Sequence, residues 1–131
     1  IAEKCKVGNH MESIKVNILG TEYTIETHKI SEDPFMKKSN IEGWCGEDAK
    51  LIAIADLDEK EFYEDMTEEE KINRRKNILR HEITHAFLNE SGLSACASVP
   101  IGPWAKNEEM VDWIAIQSPK IFKVFQELDI L

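Results

Sequence analysis

The chain has no long apolar run, few basic residues, and little cysteine, glycine or proline. Its longest purely apolar stretches, such as Leu51 to Ala55, stop at four or five residues, far short of the roughly 20 that a bilayer requires. A membrane-spanning helix is therefore excluded as an expectation, and so is a classical signal peptide. Three cysteines, Cys5, Cys45 and Cys96, show neither the even count of a disulfide scaffold nor a C-x-x-C spacing, which points to reduced thiols in a cytoplasmic protein. Lys and Arg number 16 against 25 Asp and Glu, a net charge of -9. Such a surface repels nucleic acid and anionic lipid, so neither is expected as a partner.

What is present is a globular balance of 42% hydrophobic and 31% charged residues in 131, enough for one domain with its own core. Residues 1–12 lack periodicity and read as a tail or a cloning remnant, leaving 13–131 as the domain. The acid excess sits mostly between Asp56 and Glu70, where nine acids stand against Lys60 alone. Asp56-x-Asp58 opens like a calcium loop, but Lys60 and Glu61 occupy the positions of a ligand and a turning glycine, so calcium is rejected. The stretch reads instead as a solvated connector that feeds acids into a helix N-terminus, where the macrodipole favours them.

The first half carries strand signals. Ile14, Val16 and Ile18 alternate with polar residues, and Tyr23 and Ile25 do the same after Gly20-Thr21, which reads as a two-residue hairpin turn with glycine first. Ser31 to Glu42, containing Pro34, reads as a loop. Gly43 to Asp48 then turns into the apolar Leu51 to Ala55, giving three or four antiparallel strands in all. In the second half the period becomes helical. Thr67-x-x-Glu70 is a capping box, and Ile72, Leu79, Ile83 and Phe87 predict one helix over 68–91, stopped by Gly92. Asn107 can cap a second helix, and Ser118-Pro119 a third that carries Ile121, Phe122, Val124 and Phe125 into the core. Strands followed by helices predict an α+β fold.

The chemistry lies within the long helix, in His81-Glu82-Ile83-Thr84-His85. Four residues advance a helix by about 400 degrees, so the two imidazoles stand only about 40 degrees apart, one turn displaced. Both can reach one ion. Zinc suits neutral imidazole, and Glu82 falls where a carboxylate can lie beside a water rather than on the metal. A catalytic zinc needs a third protein ligand. The metzincin continuation fails because Leu88 and Ser91 replace its glycine and histidine. The third ligand is sought in Asn107-Glu108-Glu109-Met110-Val111-Asp112, with Glu108 and Glu109 as competitors. Asp112, one turn beyond Glu108, is suited to accept a hydrogen bond from His81 and fix its tautomer.

His81-Glu-x-x-His85 followed by Asn107-Glu108-x-x-x-Asp112 resembles the gluzincin pattern of thermolysin-like metallopeptidases, and Glu108 to Ala115 is similar to the acidic helix of the ImmA/IrrE family. The resemblance follows the order of elements over about residues 14–125, although only about 50 residues carry the motifs. It implies a small zincin-like domain with His81, His85 and Glu108 as zinc ligands, Glu82 as general base and Asp112 behind His81. A peptide or protein would be the substrate, and the source a bacterium or a mobile element such as a phage. Met110 and Ile114 depart from the family's second acid and Phe, and an accompanying DNA-binding domain is not expected. The rival expectation is a catalytically silent module that keeps the metal for stability or for partner recognition.

Further residues are weighed as accessories. Leu51 to Ala55 is the candidate edge for strand addition by a peptide. Tyr23, His28 and Tyr63 are possible oxyanion donors, none of them singled out. The uncharged segment Leu93 to Ala105 reads equally as a lid or a buried connector, with Cys96 a small buried residue, and Trp44, Trp104 and Trp113 read as core or pocket walls.

Overall fold

The computed structural model describes residues 13–95 and 102–131. The proposed tail, Cys96 and the middle of the lid-or-connector segment (96–101) lie outside the described residues. Four strands form one sheet: β1 (Ile14–Ile18), β2 (Thr21–His28), β3 (Gly43–Gly46) and β4 (Leu51–Ala55), in the order β1-β2-β4-β3. Four helices accompany them: α1 (Pro34–Ser39), α2 (Lys60–Tyr63), α3 (Glu68–Glu90) and α4 (Glu108–Glu127). The class is α+β. Among the described residues, no helix is long and apolar enough to cross a membrane.

The first hairpin turns one residue earlier than expected. Ile18 pairs with Thr21, and the turn is Leu19-Gly20, with φ of 50° and 91°. Positive φ at both central positions is the type I′ geometry, whose twist matches that of the flanking strands; glycine therefore serves at its second position. The Asn17 side chain accepts from the Gly20 N–H at 2.8 Å. This register sends Ile14, Val16 and Ile18 to the same face as Tyr23 and Ile25, whereas a slip by one would turn each of them to solvent.

The sheet is mixed rather than wholly antiparallel. β4 pairs parallel to β2 and antiparallel to β3. The connection that this parallel pair requires runs over residues 29–50: a 3₁₀ turn (Ile30–Glu32) and α1, in a stretch read from sequence as partly loop, and then β3. The Asp33 side chain caps α1 by accepting from the Phe35 and Met36 N–H groups, and Pro34 occupies the first turn. β4 is central, so both of its faces are covered. Ile52 and Ile54 pack with Ile18, Tyr23, Ile25 and Ala86 under α3. Ala53 and Ala55 pack on the other face with Met36, Leu57 and Tyr63.

α3 begins with the complete Thr67–Glu70 capping box. It closes with the Gly92 N–H on the Asn89 carbonyl and the Leu93 N–H on the Leu88 carbonyl, a Schellman motif. α4 begins with Asn107, whose side chain accepts from the Met110 N–H at 2.9 Å. It then continues through Pro119 to Glu127 as one helix instead of two. Phe122 and Phe125 on its second half are exposed, as are Trp104 and Trp113, so these aromatics are not core.

Asp33 is the polar knot of the crossover. Beside its two cap bonds it accepts from His28 Nδ1 at 2.7 Å and Trp44 Nε1 at 3.0 Å, while His28 Nε2 meets Glu26 at 2.8 Å. Burial works to raise the Asp33 pKa, but the hydrogen bonds from His28, Met36 and Trp44 outweigh it and hold it below the usual range. Burial likewise works to lower the His28 pKa, and the two carboxylates outweigh it and raise it. The His28 contribution to stability is fully present below its unfolded pKa of 6.5 and fades as pH rises through the raised folded value. The Asp33 contribution is present above its unfolded value of 3.8 and is lost as pH falls through the lowered folded value. Asp33→Ala is expected to cost about 2–4 kcal/mol and to flatten the dependence of stability on pH on both sides of that window, as read by denaturant unfolding across pH.

Candidate metal centre

His81 and His85 lie one turn apart on α3, facing the first turn of α4. His81 Nδ1 is 2.7 Å from Asp112 Oδ1, and His85 Nδ1 is 2.6 Å from the carbonyl oxygen of buried Ala105. Carboxylate and carbonyl only accept, so both Nδ1 atoms carry hydrogen and donate. In the neutral rings both Nε2 atoms then present lone pairs. These atoms stand 3.2 Å apart. The Glu108 carboxylate completes the group, with Oε2 at 3.1 Å from His81 Nε2 and Oε1 at 3.3 Å from His85 Nε2.

With both rings neutral all three groups accept; a shared metal ion resolves that conflict, as does a proton on an Nε2, which turns that ring into a donor toward Glu108. Donor atoms on a tetrahedral zinc with ligand bonds near 2.0–2.1 Å are separated by about 3.3 Å, which the two Nε2 atoms match at 3.2 Å, while Glu108 meets the two rings with different oxygens. His81, His85 and Glu108 form a group that can hold a metal ion, with one ligand atom from each lying within 4.8 Å of the others. Glu109, the competing ligand, lies along a separate shallow groove on α4 with Met110, Trp113 and Ile116.

Glu82 points from α3 toward the sheet and is 5% exposed. It makes no hydrogen bond among the described residues, and burial pushes its carboxyl up to about 7, with the nearby His81 opposing and Glu108 assisting. Gly43 at the start of β3 makes room for it. A Cβ there would stand 2.8 Å from Glu82 Oε1 and 3.0 Å from Ile78 Cγ2. The sequence signal for this contact was a glycine within a strand, which marks close approach of another group. The Ala105 carbonyl had no such signal, since any residue carries one.

A cleft of about 530 Å³ opens in front of these groups, walled by Phe35, Ile41, Trp44 and Ile78 toward the start of α3 and by Cys45 and Lys106 toward its end. β3 forms one lip. The Glu42 carbonyl accepts from the Ala55 N–H at 2.8 Å, so alternation directs the main-chain groups of Trp44 and Gly46 to β4 and those of Gly43 and Cys45 to the open side. Among the described residues no strand pairs with that edge. β4, the edge expected from sequence, is instead flanked by β2 and β3 and has no free side.

The oxyanion candidates are engaged elsewhere. Tyr23 donates to Glu90, Tyr63 donates to Glu42, and His28 lies between Glu26 and Asp33. None of the three lines the cleft. Lys106, not anticipated, does: its Nζ is 3.5 Å from Asn89 Oδ1 and 3.8 Å from Glu47 Oε2. The Cys45 thiol is pushed up to about 11 by burial, which keeps it protonated and unreactive near neutral pH.

Compared with known proteins, the chain matches no family model, no curated protein and no solved structure. The geometry is therefore what bears on function. Elemental analysis is expected to find close to one zinc per chain in the wild type and in Glu109→Gln, and little in His85→Ala. Asp112→Ala, which removes the support of His81, is expected to weaken zinc about 10- to 100-fold in chelator competition.

Proposed function

We propose that the protein is a zinc-dependent metallopeptidase of the gluzincin type, akin to the ImmA/IrrE family, acting on an extended peptide or protein segment in the cytoplasm. The observation that carries this reading is the buried Glu82 carboxyl, without a hydrogen bond among the described residues, beside the convergent His81, His85 and Glu108 donors. A metal kept only for stability has no use for an acid held out of water next to it, which weighs against the silent metal-binding module.

His81, His85 and Glu108 would hold the ion. Zinc, when bound, supplies Lewis acidity that polarises a carbonyl and makes a water more acidic. The remaining work falls to the chain. The open edge of β3 aligns an extended peptide through the N–H and C=O groups of Gly43 and Cys45. Phe35, Trp44 and Ile78 cover the apolar end of the cleft and exclude solvent from the reacting bond. Glu82 takes a proton from the attacking water at its carboxylate and returns it to the leaving amine. Burial raises the Glu82 carboxyl and a bound cation opposes that rise, which leaves a group able to take a proton from water and give it back.

Glu82→Gln is expected to keep its zinc and to lose about 10²- to 10⁴-fold in peptide hydrolysis, and to retain in crosslinked pull-down a protein that the wild type cleaves. Full activity in Glu82→Gln would sink the mechanism. A partner held equally by both proteins and never cut would favour the binding module. Gly43→Ala is expected to retain zinc while lowering turnover, because the added methyl meets the Glu82 carboxylate.

A further inference from the structure

Pro119 stands inside α4 and has no N–H to donate to the carbonyl four residues back, that of Ala115. The ring also pushes that carbonyl away from the helix axis. In this structure the carbonyl is not left to solvent. Arg80 on α3 donates to it from Nε at 2.6 Å. Ala115 itself is fully buried, so an unfilled carbonyl there would be costly. Among the described residues Arg80 forms no ion pair, although the chain holds 25 acids. Among the described residues its guanidinium bonds to the carbonyl that proline frees.

The position of this bond gives it a role at the site. Arg80 immediately precedes His81, and Ala115 lies one turn beyond Asp112, which itself holds His81. Glu108 and Asp112 are more than half exposed and sit on the α4 face turned to α3. Their distance from the imidazoles is set by how the two helices are fixed to one another. Val111 and Ala115 pack there as small apolar residues, a contact that tolerates sliding. A directed bond across it does not.

We infer that Arg80 is a positioning residue for the metal centre, acting through the Ala115 carbonyl that Pro119 releases, so that arginine and proline form one device that locks α4 onto α3. The inference rests on the zinc reading above. It concerns no contact of Arg80 with metal or substrate. Arg80 works through α4, by keeping Glu108 and Asp112 in register with His81 and His85.

The test is a double-mutant cycle on the full chain: wild type, Arg80→Met, Pro119→Ala and the combination, with zinc affinity by competition against a chromophoric chelator and thermal unfolding of the metal-free proteins. Arg80→Met is expected to weaken zinc about tenfold. In the Pro119→Ala background residue 119 supplies its own N–H to Ala115, and there the same substitution is expected to change affinity less than about twofold. Cobalt-loaded Arg80→Met is expected to show an altered visible spectrum as Glu108 withdraws. Unchanged zinc affinity in folded Arg80→Met, or an equal loss in both backgrounds, overturns the inference; a lowered Tm alone would mark a merely structural bond. If Arg80→Met does not fold, Arg80→Lys, which keeps a donor on a long stem, takes its place, with a smaller loss that Pro119→Ala again erases. A wild type that binds no zinc overturns the metal reading instead. The unfolding cycle then still decides the coupling of Arg80 to Pro119, supported by non-additive shifts in Tm and overturned by additive ones.

Discussion

With both rings neutral, two imidazole nitrogens 3.2 Å apart, each 3.1–3.3 Å from a different oxygen of one carboxylate, set acceptor against acceptor, and the fold must supply the force that keeps them there. It comes from behind the rings. Asp112 and the Ala105 carbonyl take the Nδ1 hydrogens, so neither ring can rotate or change tautomer without breaking a bond. One anchor belongs to a helix and the other to the segment leading into it. The site is therefore as well defined as the contact between α3 and the region that includes α4, and no better.

The sheet contributes in a different way. Large Ile52 and Ile54 on one face of β4 and small Ala53 and Ala55 on the other give α3 a broad apolar bed while α1 and α2 approach closely from behind. α3 is further tied at its end by Glu90, which accepts from Thr21, Tyr23 and Lys50. With the helix fixed along its length, Glu82 is delivered to Gly43, where the absence of a side chain leaves space for its carboxylate.

Much of this was legible in the sequence where the cause was local. The Thr67–Glu70 box, the period of Leu79, Ile83 and Phe87, and the His81-Glu82-x-x-His85 spacing each act within a few residues, and α3 lies within one residue of where they put it. α1 was also local and was missed: Asp33-Pro34 is a capping residue followed by proline in the first turn, hidden by reading Pro34 as a breaker. The parallel pairing of β2 with β4 was not local, because nothing in either strand records what the intervening crossover does. Pro119 misled for the same reason. Proline ends a helix when the freed carbonyl has no partner, and the partner here is on another helix, 35 residues away. At the site, the residues with distinctive side chains were readable and the backbone carbonyl of Ala105 was not.

The open lip of β3 carries a further consequence. An unpaired strand edge can recruit an identical edge from a second molecule, which makes it a seed for self-association. Here the edge is four residues long and has glycine at both ends, too short and too weakly β-forming to hold a neighbour by main-chain bonds alone. The brevity of β3 thereby works against self-association through this edge.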